Sequence, residues 1–365
     1  MKKSFFGQFA GLKVIKLKFI LTIFIILGLI LVTSYCFYVI QERKYDLLKK
    51  QILTAEDPDI QRRILKSSLK DFGPEKTYRL VFSVFGDSMP LEGHRWAHIL
   101  GELYYEKYGV KGMSFCELNL SFGCYHGFFT EAIPKEGGKF ISRADDFCKS
   151  KLGENGYGCQ HGIGHGVMEF FGSSKINEAL KACSSLSFKG KIFGCQAGVF
   201  MDYNMFLGAK KGEVKFRNFN LQRPYEPCDV VSNDYQESCY YAYSQWVFAI
   251  NNKNITNNVK LCNGIQSEEN NYACLLGVGA TIALDSAYDS KKSAKRCLSI
   301  SNQKGRVLCM TGAAGIIYAA MPFGERKANF ICRNLKNIIY QNYCLKNFDL
   351  HRIYGLQKSR VQALP

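Results

Sequence analysis

The sequence predicts an all-α fold: a helical-hairpin repeat array of about 35 residues per unit, an α-solenoid or α/α toroid-like arrangement, disulfide-clamped and preceded by one N-terminal transmembrane helix. Three observations carry this. A run of 22 uncharged residues, Phe19 to Ile40, lies near the amino terminus. Fourteen of the fifteen cysteines form seven successive pairs, whose second members advance by 35, 36, 44, 35, 35 and 35 residues. Three positions after six of those second cysteines comes a small residue: Gly127, Gly162, Gly198, Ala242, Gly277 and Gly312. The 365 residues are 47% hydrophobic and 22% charged, enough apolar mass to exclude intrinsic disorder and collagen-like structure.

Taken in chain order, residues 1–18 form a basic segment with Lys2, Lys3, Lys13, Lys16 and Lys18 and no acid, whereas Glu42, Arg43, Lys44 and Asp46 beyond the apolar run carry mixed signs. The positive-inside rule keeps such an amino terminus cytoplasmic and exports the rest. Residues 19–40 are long enough to span a bilayer as a signal anchor. A cleaved signal peptide is the competing reading, against which stand the length of the run and the lack of a small-x-small site between Ser34 and Val39. Residues 41–78 alternate apolar and charged positions at helical spacing (Leu47, Leu48, Ile52; Ile60, Ile64, Leu65, Leu69) and read as a helical stalk or linker. The repeat domain is expected over 79–356, as seven clamped units and one unclamped N-terminal unit, with a tail over 357–365.

The expected pairs are Cys116 with Cys124, Cys148 with Cys159, Cys183 with Cys195, Cys228 with Cys239, Cys262 with Cys274, Cys297 with Cys309, and Cys332 with Cys344, leaving Cys36 in the membrane segment. Helix-forming stretches such as Ile176 to Cys183 end at a first cysteine, and the second cysteine opens the next helix, so each bridge clamps an antiparallel hairpin. No CxxC knuckle is present, so bridges in an oxidising compartment account for the spacing better than zinc thiolates. The recurring glycines let neighbouring helices approach; no GxGxxG or GxxxxGK[ST] run follows a strand, which argues against a nucleotide site. In outline the chain resembles disulfide-clamped helical-hairpin repeat proteins, a resemblance that implies architecture and no activity.

Five of the six histidines, His94, His98, His126, His161 and His165, lie within 72 residues, and His351 stands alone. Aligned on the second cysteine, His126 and His161 share a slot that later units fill with Ala197, Tyr241, Leu276 and Thr311, so the fold itself does not require an imidazole there. A step of 32 from His94 to His126 sets the frame of the unclamped unit, with its second helix over about 92–108. The pattern HxxxHxxxE then occurs twice, as His94, His98, Glu102 and as His161, His165, Glu169, with His126 and Glu131 forming a partial copy between them. Residues four apart share a helix face, and an imidazole pair at that spacing chelates zinc or another divalent transition metal. The five histidines are the candidate ligands. Glu102, Glu131 and Glu169 are candidate general bases or ligands, and a solvated polar face is the plainer alternative.

These stripes are expected on the concave surface of the array, where two units can share an ion only if the array curves strongly or His126 bridges them. Asp202 occupies the slot of Glu131 and extends the acidic lining or caps a helix. An insertion near 203–225, with Lys210, Lys211, Lys215, Arg217 and Arg223 against Glu213, reads as a basic lid or a solvated loop. Tyr240, Tyr241, Tyr243 and Trp246 offer an aromatic platform or a helical core. The unit from Cys332 onward looks like a terminal cap.

With 48 Lys and Arg against 31 Asp and Glu, the net charge of +17 favours anionic surroundings. The expected partners are membrane lipid through residues 19–40 and an anionic envelope polymer or envelope protein; scattered basic residues and no recognition module argue against nucleic acid. Two functions remain: a membrane-anchored extracytoplasmic binding or scaffolding array with a His/Glu-lined concave surface that holds a transition metal, and a metal-dependent envelope enzyme, a hydrolase by default, working through the HxxxHxxxE stripes.

Overall fold

Helix starts in this chain are written by side chains that accept from the first free backbone N–H groups. Asp57 caps Ile60, Asn254 caps Asn257, Ser267 caps Asn270, Asp289 caps Lys292 and Asn302 caps Gly305. Several helices end at a positive-φ residue that reverses the chain: Gly137 (φ 78°) and Gly172 (φ 77°) in the first half, and the pairs Asn252–Lys253 and Ala287–Tyr288 in the second. A computed structural model describes residues 6–86, 90–188, 192–207, 214–321, 324–349 and 364, with side chains from residue 22 onward except at 90, 154, 155, 206, 207 and 214. Sixteen α-helices and one two-stranded ribbon account for most of the described residues.

The chain divides into two compact units, Met1–Thr54 and Ala55–Pro365. The first is one helix, α1 (Phe6–Thr54), of 49 residues. From Thr22 onward it is long and apolar enough to cross a membrane, and none of its apolar window is buried in protein. The helix runs without a break through residue 40, where the sequence suggested a boundary.

In the second unit, α2 (Pro58–Asp71) and α3 (Gly73–Phe85) bury Ile64, Leu65, Leu69, Tyr78, Leu80 and Val81 and pack on each other and on α4 (Pro90–Tyr108). Much of the stretch set apart as a linker thus belongs to the folded unit, because both helices present an apolar face that must be covered. Then follow α5 (Gly123–Glu136), α6 (Lys139–Leu152), α7 (Tyr157–Phe171), α8 (Ile176–Ser184) and α9 (Cys195–Asn204). A ribbon of β1 (Met205–Leu207) and β2 (Val214–Phe216) pairs antiparallel, with Met205 opposite Phe216. The remaining helices are α10 (Asn233–Ile250), α11 (Ile255–Asn263), α12 (Glu268–Asp285), α13 (Ser290–Leu298), α14 (Gln303–Ala320), α15 (Gly324–Arg333) and α16 (Ile338–Asn347).

All seven cysteine pairs are bonded as the spacing predicted, with Cα–Cα distances of 5.4–5.7 Å, and Cys36 is free and exposed. The first cysteine lies in a helix in five pairs; Cys116 and Cys228 lie in non-helical chain, so their clamps join a loop to a helix. The second cysteines all lie in helices that pack in succession: α4 on α5, α5 on α7, α7 on α9, α9 on α10, α10 on α12, and α12 on α14, with α15 and α16 against α14. Helices α12 and α14 are buried nearly all round, whereas α11 and α13 are amphipathic covers. Tyr240, Tyr241, Tyr243 and Trp246 are all buried in α10, which makes them core and removes the aromatic platform.

Of the basic insertion, Lys210, Lys211 and Glu213 lie outside the described residues, as do His351 and most of the tail. Arg217 is pinned on α10: its guanidinium sits 3.9 Å from the Trp246 ring centroid, and Trp246 Nε1 donates to its carbonyl at 3.0 Å. Arg223 faces Glu226 and Asp229 at 3.7 and 3.8 Å.

Candidate metal centre

The glycines decide how the histidines meet. A Cβ placed on Gly127 would lie 1.8 Å from the carbonyl oxygen of His98, one on Gly198 2.1 Å from that of His161, and one on Gly166 2.2 Å from that of Phe129. No side chain fits in such gaps, so α4, α5, α7 and α9 touch backbone to backbone, and side chains along their seams are pressed together.

These contacts also correct the sequence frame. Gly127 meets His98 as Gly198 meets His161, and Gly101 meets Cys124 as Gly164 meets Cys195. His98, not His94, therefore holds the place of His161, and Glu102 the place of His165. Helix α4 carries no cysteine to mark its register, and the histidine pattern alone set it one helical turn out.

All five histidines form one cluster. His126 on α5 is at its centre, with ring centroids 5.0 Å from His94, 6.2 Å from His98, 4.9 Å from His161 and 4.8 Å from His165. His126 and His165 are buried, while His94, His98 and His161 keep partial exposure. The stripes expected on an open concave surface are thus sandwiched between helices, since α5 and α7 each have a close neighbour on both sides. Ring nitrogens of His126, His161 and His165 lie within 4.8 Å of one another, a group able to hold a metal ion. His161 Nε2 and His165 Nε2 are 3.2 Å apart. Two nitrogens on one tetrahedral zinc are ~3.4 Å apart, given zinc–nitrogen bonds of about 2.0–2.1 Å.

No protein-family model, curated protein or solved structure matches this chain. The chemistry of the cluster is therefore read from its own atoms.

Burial, reinforced by the neighbouring histidines, depresses the imidazoles: His94 falls to about 4, His165 to about 3, and His126 and His161 lie well below the usual range. These four rings are neutral at pH 7, the form that donates a lone pair to a metal. Hydrogen-bond acceptors fix two tautomers: His94 Nδ1 is 3.2 Å from the Leu120 carbonyl and His98 Nδ1 3.4 Å from Glu102 Oε1. Asp202 Oδ1 stands 3.5 Å from His165 Nδ1 without a hydrogen bond between them. A carboxylate behind a metal-ligating imidazole is the usual way such a ring is aimed. Burial raises Asp202 to about 7, with the charge of His98 opposing.

Of fourteen buried side-chain polar atoms without a hydrogen-bond partner among the described residues, four belong here: His98 Nε2, both ring nitrogens of His126, and His165 Nδ1. An unmade buried hydrogen bond costs about 1–3 kcal/mol, and this concentration of them lies at the group able to hold a metal ion.

The three candidate carboxylates separate. Glu102 is buried, bonded to His98 and to Arg62 Nη1 at 2.6 Å, so it serves His98 and is not a free base. Glu131 pairs with Lys135 at 2.6 Å. Glu169 lies near the end of α7 with much of its side chain exposed, and partial desolvation together with Asp202 and Glu131 raises its affinity for a proton. Among the described residues no hydrogen bond or ion pair joins Glu131 or Glu169 to a histidine. Arg62, which also pairs with Glu106, lies in the stretch read as a linker, and nothing in the local sequence pointed to it.

Proposed function

We propose that this protein is a single-pass, membrane-anchored extracytoplasmic helical-repeat protein that binds a transition metal through His126, His161 and His165 and serves as a binding or scaffolding array. The observation that carries the metal reading is the convergence of those three ring nitrogens within 4.8 Å. An all-imidazole donor set suits zinc, copper, iron or nickel and not magnesium or calcium. The anchor reading rests on the apolar stretch of α1 and on the five lysines that precede it, which keep the amino terminus inside by the positive-inside rule. Seven bridges accord with an oxidising compartment outside the cytoplasm.

The regular cysteine steps and the recurrent glycine-to-carbonyl contacts support a repeat reading. A toroid-like closure draws support from the packing of α14 on the turn Leu120–Phe122 and from the 3.2 Å contact between Ser121 Oγ and the Tyr288 hydroxyl. The excess of basic residues suits an anionic envelope polymer or an acidic envelope protein as the partner.

The full-length protein, purified in detergent and analysed for bound metal, is expected to carry a transition metal in stoichiometric amount and to lose it in His161→Ala and His165→Ala. A folded, fully bridged protein that takes up no zinc, copper, iron or nickel overturns the reading. A hydrolytic alternative draws on one observation, the raised proton affinity of exposed Glu169 beside Asp202, which suits a general base. Metal-dependent ester or peptide cleavage abolished by Glu169→Gln with the metal retained selects that alternative.

A further inference from the structure

We propose that the cluster takes two transition-metal ions, with His126 as the shared ligand: His161 and His165 complete one position, and His94 and His98 the other. This rests on the metal-binding reading above and extends it. His126 stands between two imidazole pairs, each spaced four residues apart on a flanking helix, α4 on one side and α7 on the other.

A single ion held by His126, His161 and His165 uses one nitrogen of His126. The second ring nitrogen stays buried without a partner, and so does His98 Nε2. A second cation coordinates both. The tautomers are set for it: the Leu120 carbonyl and the Glu102 carboxylate accept from Nδ1 of His94 and His98, which leaves Nε2 of each ring with its lone pair. Each half has a carboxylate near one ring: Glu102, held by Arg62, accepts from His98 Nδ1 at 3.4 Å, and Asp202 Oδ1 lies 3.5 Å from His165 Nδ1. Bridging through both nitrogens needs both lone pairs of His126, so its ring proton leaves to solvent as the second ion binds.

The test uses full-length protein in detergent, stripped with a chelator and titrated with Zn²⁺ alone, then separately with Cu²⁺. Two zinc ions per chain are expected, falling to one in His94→Ala or His98→Ala, which keep His161 and His165 intact. With two Cu²⁺ bound, the imidazole bridge couples the spins, so the isolated-copper resonance signal is weak in the wild type and returns at full strength in His94→Ala. The copper measurement and the wild-type stoichiometry need no variant to fold. One zinc per chain, unchanged in His94→Ala and His98→Ala, overturns the second position and leaves the first standing. No metal at all overturns both.

Discussion

At the scale of single residues the cluster is a set of bases kept neutral by burial, and this makes stability of the metal-free protein depend on pH. His94 titrates at about 4 and His165 at about 3 in the fold, against about 6.5 when unfolded, so acid protonates the unfolded chain first. Their contribution is complete above pH 6.5 and is lost as pH falls through 4 and 3. Asp202 works in the other direction, because its pKa is raised to about 7: its contribution is complete below its ordinary value and fades as pH rises through 7. Four depressed histidines outweigh one carboxyl, so chelator-treated protein is expected to unfold at lower urea as pH drops from 6.5 to 4, by on the order of 3 kcal/mol from His94 alone. A flat urea midpoint over that range contradicts this assignment. The five histidines were legible because the residue is rare here and recurs at one slot. Arg62 was not, because its pairing with Glu102 spans 40 residues and depends on how α2 lies on α4.

At the scale of helices, close approach is what the small residues supply. A Cβ on Gly312 would sit 1.9 Å from the Leu276 carbonyl, and neither α12 nor α14 carries a histidine, so Gly312→Ala tests the packing without altering a ligand. Pushing α14 off α12 is expected to cost about 1–3 kcal/mol or more, read as a lower denaturation midpoint with metal content unchanged. Ala242 fills the same slot in α10, where a methyl is accepted, and Ala242→Gly should cost only about 1 kcal/mol through helix propensity. Equal losses in the two variants would show that close approach is not what the slot provides. The glycine slot was visible as a recurrence after the second cysteine. The register of α4 was not, since no cysteine marks it and a histidine stripe reads equally well one turn along.

At the scale of the whole molecule, the bridges and the anchor make one joint prediction. Alkylating the denatured, unreduced protein should label one thiol per chain, Cys36, and all fifteen after reduction. Labelling of further thiols before reduction would overturn the oxidising-compartment reading. Each bridge closes a loop of 8–12 residues and contributes on the order of 3 kcal/mol in the chain-entropy account, so reduction is expected to unfold much of Ala55–Pro365.

The sequence by itself determined the apolar helix, the helical content, the identity of every bridge and the names of the five histidines. Each is a matter of composition or of spacing along one chain segment. Only the tertiary structure decided that the histidines are buried in a single cluster, that His126 is its centre, that Glu102 and Asp202 stand behind two of its rings, and that Glu131 and Glu169 do not. Periodicity fixes where a side chain points on its own helix. The distance from ring to ring across helices depends on how closely and at what register those helices pack, which here is set by glycines lying against carbonyl oxygens of their neighbours.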